Sequence, residues 1–378
     1  MLTAGIICEY NPFHAGHRLQ IERTRAVLGQ GAAVVCLMSG NYVQRGEPAI
    51  WPKQLRAEAA VRSGADLILE LPLTVAVNAG GYFASGAVTA LRELGCIDVL
   101  SFGSECGELA LLQRTADALC AQSFEEEVHK AMEEGVSYPR ARSRALAQLG
   151  GDGALLEAPN NALAVDYLCA LKRLDSKIRP LTICRDMEIP GATALRMTQD
   201  EAEFLRFVPE NMLYRGQQRH TLAAGERAML AVLRTRSDAE FEAMPFGGEG
   251  LWSKVMKACR REPGLQEILT ACKSKRYTMS RLKRMLLCLF LGLSGEDLQR
   301  RPPYLRVLAF NERGRAVLHT AAETSALPLV SGAIPKEPEA RAYFRLESRA
   351  ADLYALFSEA DFHTPVGQER AWHPVYIR

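Results

Sequence analysis

Along the first 190 positions, apolar residues come in short unbroken runs separated by longer stretches of helical spacing. Ala4-Gly5-Ile6-Ile7-Cys8 is a continuous apolar run of strand length, the pattern of a strand covered on both faces. Further strands are expected over residues 32–38, 66–70, 97–102 and 181–184, and helices over 53–63, 84–94 and 163–174. Leu19, Ile21, Ala26, Val27 and Leu28 mark another helix that starts near Gly16. This alternation predicts an α/β fold with a Rossmann-like parallel sheet, right-handed crossovers and helices on both faces. Past about residue 225 the alternation stops and helical patterns dominate. The expected organisation is therefore an α/β domain over 1–225 and a mainly α-helical domain over 226–378.

Composition narrows the class. With 378 residues, 48% hydrophobic and 24% charged, the chain can bury a large core. Its net charge of +2 means that any affinity for nucleic acid must come from a local patch. No apolar stretch reaches the length of a membrane span, and Met1-Leu2-Thr3 leads into the first strand without a signal peptide, so a cytoplasmic location is expected. The ten cysteines show no Cys-x-x-Cys pairing, and several sit in apolar runs such as Val35-Cys36-Leu37, the pattern of buried reduced thiols.

The most specific chemistry follows the first strand, in Glu9-Tyr10-Asn11-Pro12-Phe13-His14-Ala15-Gly16-His17. Pro12 lacks a backbone donor and biases Asn11 away from helix, so the strand must end before it. The helix that restarts near Gly16 points free N–H groups and its positive dipole end at the turn, which makes an anion site. His14 and His17 can face that site and donate to oxygens that gain charge during attack on an α-phosphorus, while Gly16 admits a phosphate close to the backbone. A strand-to-helix corner of this kind is a place to hold the triphosphate of ATP.

Other polar clusters fall at the carboxyl ends of the expected strands, where open α/β sheets bind ligands. Ser39 to Ala49 is a glycine-punctuated loop in which Arg45 can grip a pyrophosphate or close as a lid. Phe102-Gly103-Ser104-Glu105 offers a glycine on which a ring or ribose can pack, and Pro159-Asn160-Asn161 can cap a helix or read an adenine edge. Arg185 ends the strand over 181–184, ahead of Thr193 and Arg196. Asp66, Glu70 and Asp98 are strand-end carboxylates, but no metal ligand is assigned.

Between Lys254 and Arg284 there are ten basic residues against two glutamates, Glu262 and Glu267. Lys273, Lys275, Arg276, Tyr277, Arg281 and Arg284 lie at its dense end beside the apolar face Leu282, Met285, Leu286 and Leu289, an arrangement suited to RNA phosphates and base stacking.

These motifs together resemble the bacterial tRNA(Met) cytidine acetate ligases, within the nucleotidyltransferase superfamily that carries His-x-Gly-His. The resemblance rests on the opening motif, Met38-Ser39-Gly40-Asn41 with Gln44-Arg45-Gly46-Glu47-Pro48-Ala49, Phe102 to Glu105, Pro159 to Asn161, Gly248-Glu249-Gly250-Leu251, Lys275 to Thr278, and Arg306-Val307-Leu308 with Phe310-Asn311. It implies that acetate and ATP form acetyl-adenylate and that the acetyl group passes to N4 of the wobble cytidine of elongator tRNA(Met). It further implies ATP binding by Ile7, Cys8, Glu9, Tyr10, Asn11, Pro12, Phe13, His14, Ala15, Gly16, His17, Arg18, Leu19, Gln20, Gly103, Asn161 and Arg185, catalysis by His14 and His17 with Arg45, and Mg2+ accompanying ATP without an assigned protein ligand. The superfamily's second signature survives only as Gly191-Ala192-Thr193-Ala194-Leu195-Arg196. No obligate protein partner is evident. The alternative is a small-molecule adenylyltransferase whose basic module only packs; binding of tRNA separates the two.

Overall fold

The structure is a computed structural model that describes residues 1–135, 138–198, 200–332, 334–360 and 366–378, without side-chain detail at 138, 139 and 203. Its strands are β1 (Thr3–Cys8), β2 (Ala33–Ser39), β3 (Tyr42–Val43), β4 (Glu47–Pro48), β5 (Leu67–Leu71), β6 (Val99–Ser104), β7 (Arg179–Cys184), β8 (Leu305–Phe310), β9 (Leu329–Val330) and β10 (Val375–Tyr376). The main sheet runs β10-β8-β5-β2-β1-β6-β7, with β9 beside β8, while β3 and β4 form a separate hairpin. All pairs in the main sheet are parallel except β5 with β8. β1 lies between β2 and β6, so the turn that follows it opens at the centre of the sheet's carboxyl edge.

Side chains alternate along the central strands between two cores. Val35, Leu37, Leu67, Leu69 and Leu71 face the helices Gly80–Glu93, Leu109–Cys120 and Pro159–Arg173. Val34, Cys36, Met38 and Ile68 face the other side, with Ile21, Trp51 and the alanine face of Lys53–Arg62. Both faces are covered, which is why these strands read as unbroken apolar runs. The first helix, Ala15–Leu28, buries Ile21 and Thr24, whereas Val27 points to solvent. Val27 belongs to the helical apolar spacing, yet the inward position is taken by Thr24, whose hydroxyl donates to Gln20 O at 2.8 Å and lies 2.7 Å from Ser101 Oγ.

The division expected at residue 225 does not follow the sheet. Residues from Leu305 onward return to add β8, β9 and β10 to it, and the helical core takes Tyr42, Leu73 and Val77 from the amino-terminal part. The returning strand β8 joins β5 over a buried charge cluster. Lys53 Nζ sits 2.7 Å from both Glu70 and Glu369. Arg306 lies 3.3 Å from Glu70, 3.6 Å from Glu347 and 3.3 Å from Glu369, and Tyr304 donates to Glu347 at 2.5 Å.

Removing one member of a buried ion network leaves its partners uncompensated, at a cost of about 3–5 kcal/mol. Arg306→Ala should therefore lower the urea unfolding midpoint sharply. Arg315→Ala, which breaks only an exposed pair with Glu312, should leave it nearly unchanged.

Candidate active site

Past β1 the chain reverses at Tyr10, which adopts left-handed backbone (φ 47°), and at a cis Asn11–Pro12 peptide. Tyr10 and Phe13 pack edge to face at 4.8 Å beneath the turn, and the Asn11 side chain accepts the Ile50 N–H at 2.8 Å. His14 then caps the first helix. Its Nδ1 accepts the Gly16 N–H at 3.1 Å, and His17 Nδ1 accepts the His14 N–H at 3.2 Å. With both Nδ1 atoms used as acceptors, each neutral ring carries its proton on Nε2.

Burial, then Arg185 and Arg196, push His14 down to about 4; burial, then His14 and Arg185, hold His17 well below the usual histidine range. The two rings lie 3.7 Å apart. A Cβ at Gly16 would come within 2.9 Å of His14 Cε1, so the glycine is needed for the His14 ring to fold back over its own helix start.

The turn borders a cleft of about 560 Å³. Of the residues to which the sequence assigned ATP binding or catalysis, Ile7, Cys8, Glu9, Tyr10, Asn11, His14, Gly16, His17, Leu19, Gln20, Arg45, Gly103 and Arg185 line it. Pro12, Phe13, Ala15, Arg18 and Asn161 do not: Phe13 is fully buried and Arg18 is exposed, paired with Glu22 at 3.5 Å. Asn161 acts one layer back. Its side-chain oxygen accepts the Glu105 and Cys106 N–H groups at 2.9 and 3.2 Å, while the Glu105 carboxylate accepts the Asn160 side chain at 2.6 Å and the Asn161 N–H at 2.7 Å. The loop after β6 and the helix Pro159–Arg173 thus cap each other. Burial raises the Glu105 carboxyl, but the bonds from Asn160 and Asn161 outweigh it and hold it low. Asn160 reaches the cleft instead.

Sequence reasoning missed several groups. Arg56 is wholly buried and donates to Trp51 O at 2.9 Å, Glu9 O at 2.5 Å, Ser39 O at 3.1 Å and Gly40 O. Its one sequence signal was a guanidinium among Ala57, Ala59 and Ala60 on the buried side of a helix. Arg196, left without a firm role by the degenerate second signature, lines the cleft, donates to Asn11 O at 2.6 Å and to Thr193 Oγ1 at 3.2 Å. Arg23, Gly80, Phe83, Asp166 and Tyr167 also line the cleft and carry no motif, while Gln44, part of the loop motif, lines it without having been given a role.

Arg45 stands exposed at the tip of the β3–β4 hairpin. Gln44 N–H donates to Glu9 Oε1 at 2.9 Å, Arg284 Nη1 donates to Gln44 O at 3.1 Å, and Lys283 pairs with Glu47. Gly46, at φ 77°, lies so close over the helix Met279–Leu291 that a Cβ would meet Arg284 N at 2.3 Å. Arg284, expected on an RNA-facing surface, is therefore buried between the hairpin and Phe246, 5.3 Å from that ring. Lys273, Lys275 and Arg276 are exposed, and the Tyr277 ring lies between Arg276 and Arg281 at 5.9 and 5.4 Å. Glu249 ties this group together, pairing with Arg276 at 3.0 Å and Arg281 at 3.6 Å.

The strand-end carboxylates have internal work: Asp66 holds Arg25 and the Val34 N–H, Glu70 holds Lys53, and Asp98 holds the Thr3 N–H. Among the described residues no group of three or more His, Cys, Asp or Glu side chains gathers in a way that could hold a metal ion. No described helix is long and apolar enough to cross a membrane.

The geometry has counterparts in known proteins. Residues 1–369 match the HIGH Nucleotidyl Transferase family. The tRNA(Met) cytidine acetate ligase of Caldicellulosiruptor saccharolyticus is 34% identical over 100% of this chain and 99% of its own length. That of Clostridium perfringens is 31% identical over 95% and 96%. The crystal structure of Thermotoga maritima TmcAL bound with alpha-thio ATP superposes with a TM-score of 0.91 at 29% identity, covering 100% of both chains, and the apo form with 0.90 at 28%. The chain belongs to the HIGH nucleotidyl transferases and, among them, to the tRNA(Met) cytidine acetate ligase family.

Proposed function

We propose that this protein activates acetate with ATP to acetyl-adenylate and transfers the acetyl group to N4 of the wobble cytidine of elongator tRNA(Met). The observation that carries the proposal is the pair of neutral, Nε2-protonated imidazoles at a helix start inside a cleft lined by Arg23, Arg45, Arg185 and Arg196. Full-length likeness to ligases named for this reaction and to an ATP-analogue complex supports it.

In the first step an acetate oxygen attacks the α-phosphorus and pyrophosphate leaves. Charge builds on the α-phosphoryl oxygens, where His14 and His17 donate from Nε2, and on the departing pyrophosphate, where the arginines act. No side-chain nucleophile is needed; positioning and charge stabilisation carry the step. Mg2+ bound to ATP would neutralise triphosphate charge. In the second step cytidine displaces AMP, which requires a base unstacked from its loop and RNA held by the exposed Lys273, Lys275 and Arg276 with the half-buried Tyr277.

Three outcomes are expected. Loss of an oriented donor to a transition-state oxygen costs about 10²–10³ in rate, so His14→Ala should lower acetate-dependent ATP–pyrophosphate exchange by that factor. Reversing charge in Lys275→Glu/Arg276→Glu should abolish retention of tRNA on filters while exchange continues; retained tRNA with full affinity would remove this segment from the RNA site. The third concerns pH. Because His14 titrates at about 4 in the folded protein and near 6.5 when free, the unfolded chain takes up its proton first as pH falls. Stability should therefore decline on acidification through the window from about 6.5 to 4, and His14→Gln should flatten that decline in urea melts at pH 7.0 and 4.5.

A further inference from the structure

The helix Pro159–Arg173 begins at the Glu105 clasp on the β6–β7 side of the cleft. Asp166 lies six residues beyond Asn160, about 9 Å along the axis at 1.5 Å per residue. Its Oδ2 is 3.0 Å, and Gln44 Nε2 3.8 Å, from where a Cβ on Gly80 would stand. A carboxylate and a carboxamide from two separate elements thus flank one glycine at the start of the helix Gly80–Glu93, and all three line the cleft beside Phe83 and Tyr167. Among the described residues nothing donates a hydrogen bond or forms an ion pair to the Asp166 carboxylate, unlike Glu9, Glu105 and Glu70, which are engaged. Gln44 is fixed at both backbone ends, by Glu9 and by Arg284, which leaves its side chain as the part presented to the cleft.

This pairing fits an amino group beside a ring acceptor, an edge that cytosine and adenine both present and uracil lacks, and cytosine is the base that takes the acetyl group in the proposed function. Cytosine presents the 4-amino group as donor beside N3 and O2 as acceptors, so a carboxylate takes the amine while a carboxamide N–H₂ takes a ring acceptor. Resting on the function proposed above, we infer that Asp166 and Gln44 form the cytidine pocket, with Asp166 accepting the 4-amino proton as general base during acetyl transfer. The N4 lone pair attacks the acetyl carbonyl carbon of acetyl-adenylate, the carbonyl-carbon-to-phosphate-oxygen bond breaks with its electron pair leaving on AMP, and the N4 proton moves to the Asp166 carboxylate and on to water. The amine lone pair is delocalised into the ring, so removal of that proton is where a base is needed. Burial raises the Asp166 carboxyl, against the pull of Arg173 and Arg142, which makes it a stronger acceptor near neutral pH. A uracil in the same place would turn a carbonyl toward the carboxylate and be rejected.

The test separates the two half-reactions. Wild-type protein and Asp166→Asn, an isosteric change, are assayed for acetate-dependent ATP–pyrophosphate exchange, then for single-turnover acetylation of tRNA from preformed enzyme-bound acetyl-adenylate. Exchange within about twofold of wild type with transfer at least 100-fold slower is the expected result, in line with a general base worth 10²–10⁴. Gln44→Ala should slow transfer about tenfold, one neutral hydrogen bond's worth, with exchange unchanged. Transfer by Asp166→Asn within threefold of wild type, or exchange falling as far as transfer, overturns the assignment. Failure of wild-type protein to acetylate tRNA instead overturns the proposed function itself, and is read in its own arm.

Discussion

The site depends on a single buried guanidinium. Where β1 and β2 end side by side, the carbonyls of Glu9, Ser39 and Gly40 have lost their ladder partners yet remain inside the protein, and unpaired buried carbonyls are costly. Arg56 meets these three and Trp51 O besides, with donors fanned in one plane. A lysine would offer three donors from one point and could not span the same set. Burial disfavours the charge, but converging carbonyl dipoles and a guanidinium's high intrinsic basicity keep it. Because these bonds are to main-chain atoms, Arg56 sets where the backbone leaves the sheet. It thereby sets where Tyr10 reverses, where Glu9 meets Gln44, and where His14 begins its helix.

The electrostatics at that helix start are self-consistent. Burial disfavours protonation of His14 and His17, and Arg185, which on the proposed reading also draws a triphosphate into the cleft, adds to the effect, with Arg196 adding at His14. A protonated imidazole would give up its Nδ1 lone pair and with it the capping bond from Gly16 or His14. The neutral form keeps the helix start ordered and still offers an Nε2 donor. On the proposed reading, attraction for phosphate falls to arginines, and directional donation to histidines whose orientation the backbone fixes.

Much of this was legible in sequence because it is local. The runs at 4–8 and 32–38 are apolar on consecutive positions since both faces of those strands are covered, and Asn-Pro followed by His-x-Gly-His states a turn and a helix start within nine residues. What was not legible depends on the chain returning to itself. Leu305–Phe310 is apolar apart from Arg306, but it lies 121 residues (305 − 184) after the end of β7, and only its antiparallel union with β5 over Lys53, Glu70 and Glu369 shows where it belongs. Arg56 drew no reading from the sequence and Arg284 was expected to face RNA, since spacing cannot tell a guanidinium that meets solvent or a ligand from one that meets carbonyls on another element. Asp166 sits in an ordinary amphipathic helix, and its meaning arises only from Gly80 and Gln44, which lie far from it in sequence.

That return also decides how the basic segment relates to the cleft. If residues 226–378 hung on a flexible linker, RNA docked on Lys275 and Arg276 would sample many positions relative to the nucleotide. Instead, Tyr42 of the hairpin is built into the helical core and donates to Ala350 O at 3.0 Å, while Lys283 and Arg284 grip Glu47 and Gln44. The Met279–Leu291 helix carries apolar core residues on one side, hairpin contacts on a second and the Arg281–Tyr277 cluster at its start. Its orientation is therefore fixed by the same contacts that hold Gln44 over the cleft. On the proposed reading, the distance between docked RNA and activated acetate is a property of the folded core, so a base can be delivered to a reactive acyl phosphate without domain closure at every turnover.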